Sequence, residues 1–331
     1  MTELSLEQRD RAAGAILGAA VGDALGAPYE FSTSSPGVTL RGTADDFPGG
    51  GAHHWRPGEW TDDTSMAVPV LEAIAHFDEL TSEKALDRIG VVWWGWAKDA
   101  KDVGVQTRRV LSEMTRPSAV DLRISAYNVH QETGRSAGNG SLMRTSPVAL
   151  AYLGSRDGAA LTADAARAVS GLTHFDADAG DACVVWSLAV RSAILDGAVN
   201  WKAALAALPE SRQPRWQELV REASSAQPEA FPENGWVVHA FQEAVSALAS
   251  AGPTRGSWKQ GDLAPYLATI EDVINAAGDT DTVAAIAGSL AGALVGASAL
   301  PAEWLDTLHG WPGIGASELA SLADAALGAT R

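Results

Sequence analysis

Glycine recurs every fourth residue at two places far apart in this chain, at Gly14, Gly18, Gly22 and Gly26 and again at Gly288, Gly292 and Gly296. A spacing of four keeps side chains on one face of an α-helix. Each glycine costs a helix interior about 1 kcal/mol relative to alanine, so a glycine face needs a compensating gain, and close approach of another helix supplies it. In lipid the same spacing marks a dimerisation face. The run 283–300 is mostly Ala, Gly and Ser, with Asp279 and Asp281 at its mouth, and reads as a buried helix of a soluble protein. Two tightly packed helices are therefore expected at the centre.

Alanine dominates the rest of the sequence, and few stretches alternate as half-buried strands do, so the fold class is all-α. Helical patterns fall at 7–25, 61–78, 82–98, 142–153, 162–173, 182–195, 236–248 and 263–275, and Pro69 is a possible kink. Residues 32–59 and 116–140 read as long connections, the first with a possible short strand at 38–40. No linker divides the chain, and 331 residues at 46% hydrophobic content suffice for one domain spanning 1–331.

A formal charge of -17 repels phosphate backbones, and no basic stripe offsets it, so nucleic acid is an unlikely partner. Cys183 is the only cysteine, which excludes an internal disulfide and a cysteine-rich zinc site. Residues 1–11 lack the basic-then-apolar order of a signal peptide. A reducing, cytoplasmic setting without a membrane span is the expectation.

Oxygen-bearing side chains crowd two helix starts. Thr61, Asp62, Asp63 and Thr64 open one helical pattern, and Asp279, Thr280, Asp281 and Thr282 open the last long one. Acids and hydroxyls cap helix N-termini, and either cluster alone could be a cap. Together they offer more ligands than caps need, and Thr61, Asp62, Asp63, Asp279, Asp281 and Thr282 suffice for two hard cations of the Mg²⁺ type. The string DTDTV at 279–283 also fits the nucleophilic aspartate of haloacid-dehalogenase-like phosphotransferases, although that motif should end a buried parallel strand and 271–278 is too rich in Ala, Asn and Gly for one.

Six segments in order carry a resemblance to the ADP-ribosylglycohydrolase family. They are GAAVGDALG at 18–26 with Pro28 and Glu30, PGEWTDDT at 57–64, GNGSLMR at 138–144 with Pro147, Thr173-His174, GWVV at 235–238 and GDTDTVAA at 278–285. The resemblance implies a compact single-domain orthogonal helical bundle with a binuclear centre of two Mg²⁺ or Mn²⁺ ions, its ligands the two groups just named. It implies hydrolysis of an N- or O-glycosidic bond between ADP-ribose and a modified side chain, arginine above others, on a protein or small ADP-ribosyl substrate, with ADP-ribose as product. Glu30 and Asp102 then become the candidate proton-transfer residues, Asp102 matching an acid of the arginine-specific branch. Gly138, Asn139, Gly140, Ser141 and Met143 fall where the family wraps a loop around ADP-ribose, and His174 where a nucleotide contact is expected. Phe175 and Asp176 depart from the Asp-Pro pairing expected after that histidine. A non-catalytic ADP-ribose reader on the same fold is the alternative.

Overall fold

The computed structural model describes residues 3–255 and 258–329. Capping side chains set where the chain turns helical. Ser5, Ser82, Ser118 and Asp176 each accept from a backbone N–H of the following first turn, and Gly134 and Gly197, at φ 59° and 67°, close two helices in the left-handed conformation. The helices are α1 (Leu6–Gly26), α2 (Asp62–His76), α3 (Glu83–Trp96), α4 (Val105–Glu113) and α5 (Ala119–Thr133). They continue as α6 (Gly158–Ser170), α7 (Ala177–Asp196), α8 (Trp201–Ala206), α9 (Gln213–Ala223) and α10 (Val237–Arg255). The last are α11 (Ala264–Ala276), α12 (Thr280–Val295), α13 (Ala302–Thr307) and α14 (Ala316–Ala329). Antiparallel β1 (His309–Gly310) and β2 (Ile314–Gly315) form the one small sheet among the described residues, so the fold is all-α as expected.

The two glycine faces meet. A methyl group on Gly14 would strike the Gly292 carbonyl, one on Gly22 the Ala284 carbonyl, and one on Gly26 the Thr280 carbonyl. Because partner numbers fall as α1 rises, the helices run antiparallel. Every residue of α12 is buried, and α7, α10, α11, α2 and α14 pack around the pair. Tyr266 of α11 donates to the Gly18 carbonyl at 2.7 Å, and Trp186 of α7 donates to Ser289 at 2.9 Å. The consequence for function is positional: antiparallel packing sets the C-terminal end of α1 against the N-terminal end of α12. Thr280 Oγ1 seals that junction by donating to the Gly26 carbonyl at 2.9 Å.

Several expectations need correction. Residues 119–133 are helix α5 rather than connection. The stretch 142–153 holds only a 3₁₀ turn, Ser146–Leu150, with Pro147 at its start. Residues 38–40 are not a strand; the Val38 and Leu40 amides donate to the side chains of Asn275 and Glu271, both at 2.7 Å. Pro69 lies inside a continuous α2.

Candidate metal centre and substrate cleft

The start of α2 is fixed by an acid the sequence reading passed over. Asp23, fully buried on α1, accepts from the Thr61 amide at 2.9 Å, the Thr64 amide at 3.0 Å and the Thr64 hydroxyl at 2.6 Å. Burial pushes its pKa up to about 6 against the pull of those bonds. Thr61, the N-cap, donates its hydroxyl to Asp63 Oδ2 at 2.8 Å, and Asp62 Oδ2 accepts from the Gly104 amide at 3.1 Å. These bonds fix both carboxylates at the start of α2, and Asp63 comes within reach of Asp281 on α12.

On the α12 side, Asp279 is held from a third direction. Asn139 Nδ2 donates to Asp279 Oδ2 at 2.7 Å and to the Asn234 carbonyl at 2.9 Å, while the Asp279 amide donates to Asn234 Oδ1 at 3.0 Å. Asn234 also donates to Glu243, a buried acid raised well above its usual range by desolvation. Gly278, at φ 80°, lets its carbonyl accept from the Phe31 amide at 2.7 Å and its amide reach the Ser32 carbonyl at 3.0 Å. Phe31 itself sits at φ 64° and is exposed at the cleft lip beside Glu30, a strained backbone of the kind that gathers at functional sites.

Two groups of acids result, each with ligand atoms within 4.8 Å of one another: Asp23, Asp63 and Asp281, and Glu30, Asp279 and Asp281. Asp281 belongs to both. Oδ1 of Asp63, Oδ1 of Asp281 and Oε2 of Glu30 are buried without a hydrogen-bond partner. Burial and mutual repulsion drive Asp63 and Asp281 well above the usual carboxylate range, Asp62 up to about 8, and Glu30 up to about 9, the last through burial and then the charges of Asp279 and Asp102. Orphaned oxygens on crowded acids are expensive, and hard divalent cations are what such an oxygen set is suited to hold. Asp63, Asp279 and Asp281 thus come together, with Asp23 and Glu30 added, while Asp62 and Thr282 stand on the wall of the cleft outside both groups and Thr61 reaches them through its bond to Asp63.

Above the acids opens a cleft of about 450 Å³ lined by Glu30, Asp62, Asp102, Asn139, His174 and Asp279, among others. Gly138, Gly140, Met143 and Thr282 line it too. The Ser141 side chain does not; it is buried beneath, bonded to Ser170 at 3.0 Å and to Cys183 at 3.5 Å. Asp102 lies 3.8 Å from His53, and Glu30, His53 and Asp102 form a third, mixed group with ligand atoms within 4.8 Å of one another.

His174 is held by a relay. Arg144 is fully buried with its guanidinium 4.0 Å from the Trp93 ring, and it donates to Thr173 Oγ1 at 2.7 Å. Thr173 Oγ1 in turn lies 2.7 Å from His174 Nδ1. The threonine oxygen accepts from Arg144, and among the described residues its other partner is His174 Nδ1, so the tautomer that leaves no buried hydroxyl proton unpaired has Nδ1 accepting and the ring proton on Nε2. Burial, then the Arg144 charge, hold His174 well below its ordinary pKa, and burial holds Arg144 down at about 9. His174 is therefore a neutral donor whose Nε2 lies under the Gly138 and Gly140 backbone.

Fold and site together define an all-α protein whose acidic centre, under a glycine-walled cleft, is suited to divalent cations. The family model described as ADP-ribosylglycohydrolase matches residues 4–331. The chain is similar to the ADP-ribosylarginine hydrolase Tri1 of Pseudomonas putida (strain GB-1), 30% identical across 90% of this chain and 74% of that protein. It is also similar to the ADP-ribosyl-[dinitrogen reductase] glycohydrolase of Rhodospirillum rubrum, 28% identical across 90% of both. A solved structure titled ADP-ribosylglycohydrolase-related protein complex aligns with TM-score 0.67 and 28% identity over 98% of this chain and 99% of that one, so the likeness runs nearly end to end. The chain belongs to the ADP-ribosylglycohydrolase family, and it is a hydrolase of ADP-ribosyl bonds. The phosphotransferase alternative falls with the fold: α11 and Ala277-Gly278, not a parallel strand, precede Asp279.

Proposed function

We propose that this chain, acting as one domain over 1–331, hydrolyses the bond between ADP-ribose and a modified arginine, and releases ADP-ribose. The observation that carries the reading is the pair of acid groups that share Asp281, holding unpartnered oxygens of Asp63, Asp281 and Glu30, with Glu30 and Asp279 opening onto a cleft of about 450 Å³. Asp62, Asp63, Asp279 and Asp281, with Thr61, Thr282 and Asp23, would hold two Mg²⁺ or Mn²⁺ ions. Such ions supply Lewis acidity toward oxygen groups and lower the pKa of water.

Asn139 orients Asp279, and the Gly138 and Gly140 backbone with the His174 Nε2–H offers donors to the diphosphate without a side chain in the way. Asp102, on the cleft wall, accepts the guanidinium N–H groups and so orients the leaving side chain. Glu30, beside Asp279 and Asp281, exchanges the proton at its Oε atoms. An acidic surface disfavours nucleic acid, and no helix among the described residues is long and apolar enough to cross a membrane; a cytoplasmic protein or small ADP-ribosyl substrate fits both.

The test is to incubate the protein with arginine-linked and serine-linked ADP-ribosyl peptides, with Mg²⁺ or with chelator, and to measure free ADP-ribose. The expected outcome is faster release from the arginine linkage, abolished by chelator, and loss of that preference in Asp102→Ala. Equal loss of turnover on both linkages in that variant would refute the specificity role of Asp102.

A further inference from the structure

A second cleft, of about 440 Å³, lies against the first, and the two share Asp62 and Asp102. Its chemistry is different. Trp55, Trp96 and Trp311 contribute to its walls, and Glu59 and Asp99 add carboxylates. Trp55 and Trp96 are nearly buried, and Trp60 donates to the Trp311 carbonyl at 3.1 Å, so this is a built pocket rather than a chance surface dip. Acids repel a diphosphate, and no glycine loop of the kind found in the first cleft is present to offset them. Indole faces with carboxylates favour a cation on an aliphatic stem.

The protein already places such a cation there. Lys101 Nζ donates to both Glu59 oxygens at 2.7 Å and stands 4.9 Å over the Trp55 ring. Its side chain is 41% exposed whereas that of Glu59 is 16% exposed, so the acid is fixed and the lysine is free to swing out. Asp62 and Asp102 stand at the boundary between this cation-accepting pocket and the cleft where the ribose end of the substrate would lie.

We propose that the tryptophan-lined cleft is the leaving-side subsite, receiving the guanidinium and alkyl stem of the modified arginine and displacing Lys101 from Glu59. The proposal rests on the arginine-linkage reading above and extends it: Asp102 meets the guanidinium at the boundary, and the second cleft takes what extends beyond. It also gives Lys101 a role as a resident competitor that keeps the pocket closed to weaker cations.

Gly95 offers a clean probe. It lines the cleft on α3, and a Cβ added there meets nothing within 4 Å, so Gly95→Leu narrows the pocket without a clash in the core. In the ADP-ribose-loaded, Mg²⁺-containing protein, agmatine, a guanidinium on a four-carbon stem, should quench tryptophan fluorescence saturably. Lys101→Ala should bind agmatine about tenfold tighter, the resident cation being gone. Gly95→Leu should raise KM for an arginine-linked ADP-ribosyl peptide about tenfold while leaving kcat, the serine-linked peptide and ADP-ribose affinity unchanged. Absence of an agmatine response in both the parent protein and Lys101→Ala overturns the proposal, as does an unchanged arginine-linked KM in Gly95→Leu. Should those losses occur while the parent still cleaves the arginine linkage, the subsite fails and the hydrolase reading stands. Agmatine binding with no cleavage of any linkage would instead leave the pocket and remove the function proposed for it.

Discussion

Thr173 Oγ1 has two polar partners among the described residues, an arginine that can only give a proton and a histidine nitrogen that, by accepting, gives the buried hydroxyl proton its partner. That single oxygen decides which face His174 shows the cleft. ¹⁵N NMR should find His174 protonated on Nε2 and neutral at neutral pH, because burial and Arg144 both disfavour the imidazolium. Thr173→Val should weaken ADP-ribose binding about tenfold and let the tautomer mix, and Thr173→Ser should restore both. A protonated Nδ1 in the parent protein would contradict the relay. Asp23 teaches a different lesson. In sequence it is one acid on a glycine-rich helix, and only the packing of α1 against the first turn of α2 shows that it fixes the Thr61 and Thr64 amides. Its visible signal was a charge on a face otherwise made of Ile16, Ala19, Ala20 and Gly26. Asp23→Asn, which loses the charge and keeps only one of the two accepting oxygens, should lower divalent-cation affinity at least about tenfold by calorimetry, and unchanged affinity would remove Asp23 from the centre.

Among elements, the α1 and α12 pair is the one that turns sequence into site. Glycine at every fourth position was legible because close backbone approach leaves no room for a side chain, and the structure puts those glycines against the facing carbonyls. The same antiparallel contact delivers Asp23 and Glu30 to Asp279 and Asp281. Gly22→Val should therefore cost about 3 kcal/mol or more of stability in denaturant unfolding. It should also lower cation affinity at a temperature where the variant is still folded, since the clash at Ala284 pushes the first turn of α12 away. A destabilised variant with unaltered cation binding would separate packing from site geometry. Helix α5 was missed for a physical reason. Leu122, Ala126 and Val129 face inward, but Val120, Ile124 and Tyr127 are exposed, so no clean apolar stripe exists to read. Its caps, Ser118 with Asp121 and then Gly134, were nevertheless in the sequence.

Over the whole molecule, the two acid-rich helix starts were readable in advance because their acids and hydroxyls exceed what capping needs. Asn234, Glu243 and His53 were not, since each acts through a partner distant in the chain. The crowded acids also set a pH dependence. Carboxyls raised in the folded state hold protons that the unfolded chain releases above about pH 4, so the cation-free protein loses stability as pH rises through the raised values of Asp23, Asp62 and Glu30. In chelator the melting temperature should fall between about pH 5 and pH 8, and Mg²⁺ should raise it more at the higher pH, where cations no longer compete with protons. A Mg²⁺ effect larger at the lower pH would reverse that sign and contradict the linkage.

Asp281 is common to both acid groups, so one substitution there reaches both. The direct measurement is the number of Mn²⁺ ions bound per chain at neutral pH, counted by electron paramagnetic resonance in the parent protein and in Asp281→Asn. Two tight sites in the parent, both weakened in the variant, are expected from a shared centre; no tight Mn²⁺ in the parent, or two undiminished sites in Asp281→Asn, would contradict it.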